Sequence, residues 1–509
     1  MNKHASGSHT SSSGAGHHAL ANHAMQTTNE DIIDPGGMGL FRLTMMVITS
    51  TICAGIFSLM GDLAAGGAHT AAVIIGWAIC FVGVFCLMKA FQGLSQLRPD
   101  LTGGIYAYAA AGFGDYVGFN SAYGYWISGC LSNVSFAIMF FGALGYFFPV
   151  FGNGNNLLSV ICASVVIWVL AYVVTRGVKE AAGINIVVTI AKVVPLALFV
   201  VSILMLNKFN PDIFFSNFMG EPGGANLTDQ IISTMISLVW IFTGIETAVV
   251  ISGHAKFVKD VGRATSLGFI SVFVLYFLIS LLSMGIVPRE EMAHLATPSM
   301  AGVLEIAIGP IGAAIVNLGV CLSLAGALLG YVIICAETPF EAAKRQTFPK
   351  CFARTNKNNA PVVTILVSAA VIQLFLLIAF LSEGTYQFFY ACAVSTILIP
   401  YVCSAAFYMM VSWKKEGFNK KHAPRLSIAR FFGTASFIYT LFLVWTCGWK
   451  GIMITTVLFA PGILLYLMGA HQYHKRAFCG LKDAIIVIAV IVLAIASLYL
   501  HFSGISPIV

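Results

Sequence analysis

The stretch Thr49-Ser50-Thr51-Ile52-Cys53-Ala54-Gly55-Ile56-Phe57 sits inside an apolar run from about Gly39 to Gly61. A membrane helix has no need of a hydroxyl- and glycine-rich cluster at its centre. In hydrocarbon every backbone N–H and C=O must be satisfied, so non-helical backbone survives only where protein packs on it or a cavity meets it. Two readings follow. The cluster is either a small-residue face for close helix packing, or a break that leaves free N–H groups and a helix N-terminus to hold an anion.

The surroundings of that stretch set the fold class. With 58% hydrophobic and 9% charged residues and a mean hydropathy of +0.88, the chain is not a water-soluble globular domain but an all-α polytopic membrane protein. Thirteen runs are long enough to span, at residues 39–61, 71–97, 116–148, 157–174, 182–206, 231–251, 266–287, 301–336, 362–381, 386–413, 431–447, 451–469 and 484–502. With a cytoplasmic amino terminus, 22 of the 27 Lys and Arg fall on the inner side. Only Lys208, Arg289 and Lys450 fall outside, and Lys89 and Lys192 lie within spans. That bias fixes the expected orientation, and an odd number of spans leaves the carboxyl terminus external. The net charge of +7 is mostly this signature and calls for no acidic partner or nucleic acid.

The twelve cysteines are scattered through apolar runs without a CxxC pair, so they read as small buried hydrophobes rather than a disulfide or metal framework. No cofactor or metal is implied. The leader 1–30, rich in Ser, His, Ala and Gly, lacks the basic start, apolar run and cleavage site of a signal peptide. It reads as part of a disordered cytoplasmic tail, 1–37.

Four further places carry chemistry. After the second span, Arg98-Pro99-Asp100-Leu101-Thr102-Gly103-Gly104-Ile105-Tyr106-Ala107-Tyr108 demands a bent connection on the inner face. The third span carries Asn133 behind Tyr125-Trp126; an amide there commonly bonds a neighbouring helix. The fifth span carries Lys192 about ten residues from either end, too deep to snorkel, where a lysine costs at least ~3 kcal/mol unless something offsets it. The sixth span holds Trp240-Ile241-Phe242-Thr243-Gly244-Ile245-Glu246: an aromatic, a glycine and a buried carboxylate that suit a second break better than a simple helix. Ordinary core packing is the alternative for Trp240, and a fixed structural cation the alternative for Lys192.

Taken together, the break ending Gly55-Ile56-Phe57, the Pro99 to Tyr108 bend, Phe242-x-Gly244-x-Glu246, and the tail Ala336-Glu337-Thr338-Pro339-Phe340-Glu341 after the eighth span resemble the amino acid–polyamine–organocation transporter superfamily over about 38–469. The resemblance implies a LeuT-like five-plus-five inverted repeat with discontinuous helices 1 and 6, a ten-helix core at 38–411 and three additional helices at 412–509. It also departs from the pattern: the usual glycine-serine-glycine is Cys53-Ala54-Gly55 here, leaving only backbone donors. The helix-5 lysine and thirteenth span point within the superfamily to the basic amino acid antiporters, most closely the arginine/ornithine type, in a bacterial cytoplasmic membrane.

That resemblance makes Trp240 the aromatic that caps a bound substrate, Tyr331 in span eight its stacking partner, and Asn133 a contact at the substrate's distal end. Glu246 becomes a gating or proton-sensing carboxylate. Lys192 stands where sodium-coupled relatives hold a cation. The paired breaks themselves imply that an α-carboxylate rests on the N–H groups around Ile52, Cys53, Ala54 and Gly55, and an α-ammonium on carbonyls from Ile241 and Phe242 to Gly244. Proton-coupled symport of lysine or another amino acid, and exchange for a decarboxylated amine, stay open, as does a homo-oligomer. A channel would want a continuous polar stripe or charged rings, and a membrane enzyme a catalytic motif such as HExxH or GxSxG; neither pattern is present.

Overall fold

The computed structural model describes residues 37–98, 100–101, 104–177, 182–246, 255–382, 385–418, 423–478 and 480–503. The expected amino-terminal tail, and Pro99, Thr102 and Gly103 of the expected bend, lie outside them. The described residues are helical apart from turns and one isolated β-bridge between Met38 and Ala255. In chain order the helices are α1 (Leu40–Thr51), α2 (Gly55–Ala65), α3 (Thr70–Leu97), α4 (Ile105–Phe113), α5 (Asp115–Phe147), α6 (Leu157–Thr175), α7 (Ala182–Met205) and α8 (Leu227–Trp240). They continue as α9 (Val258–Met284), α10 (Ser299–Ile308), α11 (Pro310–Lys344), α12 (Val362–Leu381), α13 (Tyr386–Lys414), α14 (Leu426–Thr446), α15 (Gly448–Gln472) and α16 (Leu481–Phe502). Among the described residues eleven helical segments, α1 with α2 counted as one, are long and apolar enough to cross a membrane.

These helices are apolar nearly all round, as elements facing lipid or a buried core must be. Their interruptions fall where backbone chemistry requires. Between α1 and α2, Ile52 is extended at φ −77° and ψ 92°. At the mouth of α5, Gly114 takes φ +97°, a conformation that L side chains rarely adopt. The expected single run 301–336 is corrected here: Gly309 at φ +84° and Pro310 divide it into α10 and a 35-residue α11. Gly-Pro ends one helix and starts the next, because proline tolerates only the first turn.

The centre of the molecule is α5, which packs against α11 and α13. Around it, α1 lies on α7 and α9, α2 on α10, and α8 on α3 and α13. The carboxyl-terminal layer is peripheral: only 17% of the apolar window of α16 is buried in the protein, and α15 is the helix it packs on most extensively.

Candidate functional site

Both expected breaks are present, and they meet. Helix α1 ends at Thr51, and α2 begins at Gly55 without a side-chain cap. By helix geometry, first-turn N–H groups have no acceptor inside the helix; that of Phe57 turns back to the Ala54 carbonyl at 3.1 Å, leaving those of Gly55 and Ile56 to point out of the helix start. Helix α8 ends at Trp240 and runs into turns over 241–246, where Gly244 takes φ +99°. Ser50 Oγ donates to the Gly244 carbonyl at 3.1 Å.

The approach is too close for any other residue at two positions. A Cβ on Gly55 would stand 2.7 Å from the Ile241 side chain and 2.8 Å from the Trp240 ring, and one on Gly244 would stand 2.6 Å from the Ser50 carbonyl oxygen. The start of α2 therefore packs directly on the Trp240 and Ile241 side chains, and the Gly244 backbone on Ser50 at the end of α1. Ile52, Cys53, Ala54, Ile241, Phe242 and Gly244 are all buried around this contact.

The carbonyl end of α1 is satisfied by side chains from two other helices. Lys192 Nζ, on α7 and 1% exposed, donates to the Thr49 carbonyl at 2.9 Å, and Tyr276 Oη, on α9, to that of Thr51 at 3.2 Å. A cation at a helix C-terminus is favoured by the partial negative charge there, which offsets part of the cost of burying the lysine. Around α7 the packing is close, since a Cβ on Gly319 of α11 would stand 2.4 Å from Pro195.

Glu246 is 1% exposed and is held by three neutral donors. Tyr125 Oη of α5 reaches Oε1 at 3.2 Å; Tyr401 Oη of α13 and the Gly244 N–H reach Oε2 at 2.9 and 3.1 Å. Above it a small cavity is lined by Ser128, Gly129 and Ser132 of α5, Thr243, and Tyr331 and Ile334 of α11. Asn133, one position along, is fully buried. Its Nδ2 donates to the Gly129 carbonyl at 3.1 Å and meets Cys335 Sγ at 3.7 Å, while its Oδ1 has no hydrogen-bond partner among the described residues.

Trp240 and Tyr331 are not in direct ring contact. Phe136 stands between them, with centroids 5.7 Å from Trp240 and 4.9 Å from Tyr331. The Trp240 indole also stacks on Tyr390 at 5.5 Å and an interplanar angle of 16°, and its Nε1 donates to Tyr386 Oη at 2.8 Å. Beyond this aromatic layer lies a second carboxylate. Asp62 of α2 accepts from Ser58 Oγ at 2.7 Å and from Gln387 Nε2 of α13 at 2.9 Å.

Sequence reasoning singled out the breaks, Lys192, Trp240, Tyr331, Asn133 and Glu246, and the fold gathers them around the same breaks. It passed over Phe136, Tyr386, Tyr390, Tyr401 and Asp62, and gave Tyr125 no role. Asp62 carried a signal in Gly61-Asp62 at the edge of an apolar run. An aromatic in an apolar helix carries none, since core packing explains it equally well.

An amino acid permease family model matches residues 38–468. The chain is 41% identical over 473 residues to the arginine/ornithine antiporter of Pseudomonas aeruginosa, an alignment covering 91% of this chain and 97% of that one. It is 36% identical over 462 residues to the putative arginine/ornithine antiporter of Escherichia coli, covering 90% and 97%. To the arginine/agmatine antiporter of Chlamydia pneumoniae it is 35% identical over 475 residues, covering 92% and 97%.

Proposed function

From the premise that the chain belongs to the amino acid permease family, a family of multi-pass membrane transporters with the LeuT-like fold, we propose that it exchanges cationic amino acids, arginine against ornithine, across a bacterial cytoplasmic membrane. One observation carries the reading. The uncapped start of α2 lies directly against the α8 break at Gly55, Ile241 and Trp240, so when the two segments part an amino acid backbone enters between them, carboxylate to α2 and ammonium to the α8 break.

In this reading Ala54 and Gly55 hold the carboxylate, Ile52 and Cys53 line it with their own N–H groups bonded to the Ile48 and Thr51 carbonyls at 2.8 and 3.0 Å, and Ile241, Phe242 and Gly244 hold the ammonium. The cationic side chain extends toward Tyr331 and Asn133. Trp240 covers it from the outer side, and cation–π attraction to such faces is worth roughly 0.5–2 kcal/mol each. Asn133 Oδ1 is then an acceptor for a side-chain donor. Glu246, strung between α5 and α13 by Tyr125 and Tyr401, closes the inner side. Lys192 is a fixed cation that holds α1 against α7.

The amino terminus is cytoplasmic and the carboxyl terminus external. Residues 38–411 make up the ten-helix transport core, and 412–509 add three helices that face lipid or a second copy. Binding and release at this site require no covalent chemistry of the protein. Likeness to the arginine/agmatine relative supports a second reading, arginine against the decarboxylated amine. Counterflow in liposomes separates the two: trans-stimulated arginine uptake is expected with ornithine inside. Stimulation by agmatine alone would select the second, and no stimulation by internal ornithine, arginine or agmatine would overturn both.

A further inference from the structure

Asp62 plays no part in the site just described, yet it stands on the helix that begins there. It stands on α2 in the last turns before the 66–69 turn, on the face that the proposed orientation makes external. Its two oxygens are held by Ser58, one turn back on the same helix, and by Gln387 on α13. Tyr386, the residue before Gln387, receives the Trp240 indole N–H, and the Tyr390 hydroxyl is a third hydrogen-bond partner of the Asp62 carboxylate. The carboxylate is therefore one layer outward of the aromatic floor, on the seam between α2 and α13.

Two features set Asp62 apart from a simple strut. Among the described residues no Lys, Arg or His forms an ion pair with this half-buried carboxylate, although the membrane setting makes an unpaired charge costly. Its partners Ser58, Gln387 and Tyr390 are all neutral. In addition, a carboxylate offers about four lone-pair positions, which leaves room for a planar guanidinium or a primary ammonium beside Ser58. Gln387 Nε2 also donates to Thr297 Oγ1 at 3.2 Å, so it keeps a partner when it swings off Asp62.

Resting on the cation-exchange reading above, we propose that Asp62 is an outer station for the cationic end of the substrate. The carboxylate receives the guanidinium or ammonium on the external side of the Trp240, Tyr386 and Tyr390 layer, and Gln387 covers it when the seam is shut. A negative group at a narrow low-dielectric entrance raises the local concentration of cations and their entry rate. It acts on charge, so it favours arginine over its neutral isostere citrulline.

The test compares right-side-out and inverted membrane vesicles holding the full-length protein, loaded with ornithine, with kcat/KM measured for arginine and for citrulline. Asp62→Asn is expected to lower the arginine-to-citrulline ratio about tenfold for external substrate, and to leave it unchanged from the cytoplasmic side. A strut that merely holds the seam shut affects both substrates alike, so the ratio would stay constant. A constant external ratio, or an equal loss on both sides, overturns the proposal. Asp62→Ser carries the same expectation and decides the matter should the asparagine variant fail to fold. Wild-type vesicles without arginine–ornithine exchange would overturn the cation-exchange reading itself, and that outcome shows before any variant is made.

Discussion

The ammonium of Lys192 and the carbonyl oxygen of Thr49, 143 positions apart in the chain, meet at 2.9 Å, so one side chain of α7 satisfies the end of the broken helix α1. Removing it leaves a buried carbonyl without that donor, a loss of about 1–3 kcal/mol. Lys192→Met is expected to lower the thermal unfolding temperature of the purified protein and to slow exchange at least about tenfold. Unfolding scans in detergent with and without arginine, run beside liposome exchange, check both. An unchanged unfolding temperature would show that the lysine does not hold α1.

Gly55 and Gly244 are fixed by close approach. Gly55→Ala and Gly244→Ala each place a methyl group under 3 Å from a neighbouring atom, and Gly244 also has a positive φ, so each is expected to lower exchange more than about tenfold while the protein still reaches the membrane. Gly39→Ala, where an added Cβ meets nothing within 4 Å, serves as the control and should retain wild-type exchange. Uptake normalised to the amount of protein in the membrane is the measurement.

Trp240 makes one hydrogen bond and two ring contacts in the aromatic layer. Trp240→Leu removes all three together with the face offered to the cation, and should weaken arginine binding roughly tenfold or more by the usual worth of such contacts. Trp240→Phe keeps a face and should bind in between. Equilibrium binding to purified protein reads this directly, and unaltered affinity in the leucine variant would make the residue packing alone.

Tyr125 and Tyr401 reach Glu246 from two different helices, which makes them the two clasps of the proposed inner closure. Tyr401→Phe deletes the shorter bond to a buried carboxylate, worth about 1.5–3 kcal/mol. Ornithine leak from loaded liposomes with no external substrate should rise in this variant, and rise less in Tyr125→Phe. Equal leak in wild type and both variants would remove the gating role.

The legible parts of this site were those in which a residue type defies its surroundings. Lys192 and Glu246 are ionisable groups inside apolar runs, and Gly55 and Gly244 sit in β-branched and aromatic context, so each demands a reason. Phe136 and Tyr390 demand none: a ring in a membrane helix is unremarkable until the neighbouring helix is known, because helical periodicity does not reveal which face meets α8. The Gly309-Pro310 break was overlooked for a different reason. Hydropathy continues unchanged across it, and only the turn chemistry of that dipeptide marks the end of α10.

The central claim, obligatory exchange of two substrates of equal charge through a site whose lysine is a fixed cation, is tested most directly by arginine uptake into ornithine-loaded liposomes with the pH gradient and the membrane potential varied independently. Arginine and ornithine each carry one positive charge, so a one-for-one exchange moves no net charge and needs no proton. The account predicts uptake indifferent to both gradients and absent from empty vesicles. Uptake into empty vesicles driven by an inward proton gradient, and lost in Lys192→Ala or Glu246→Ala, would contradict it.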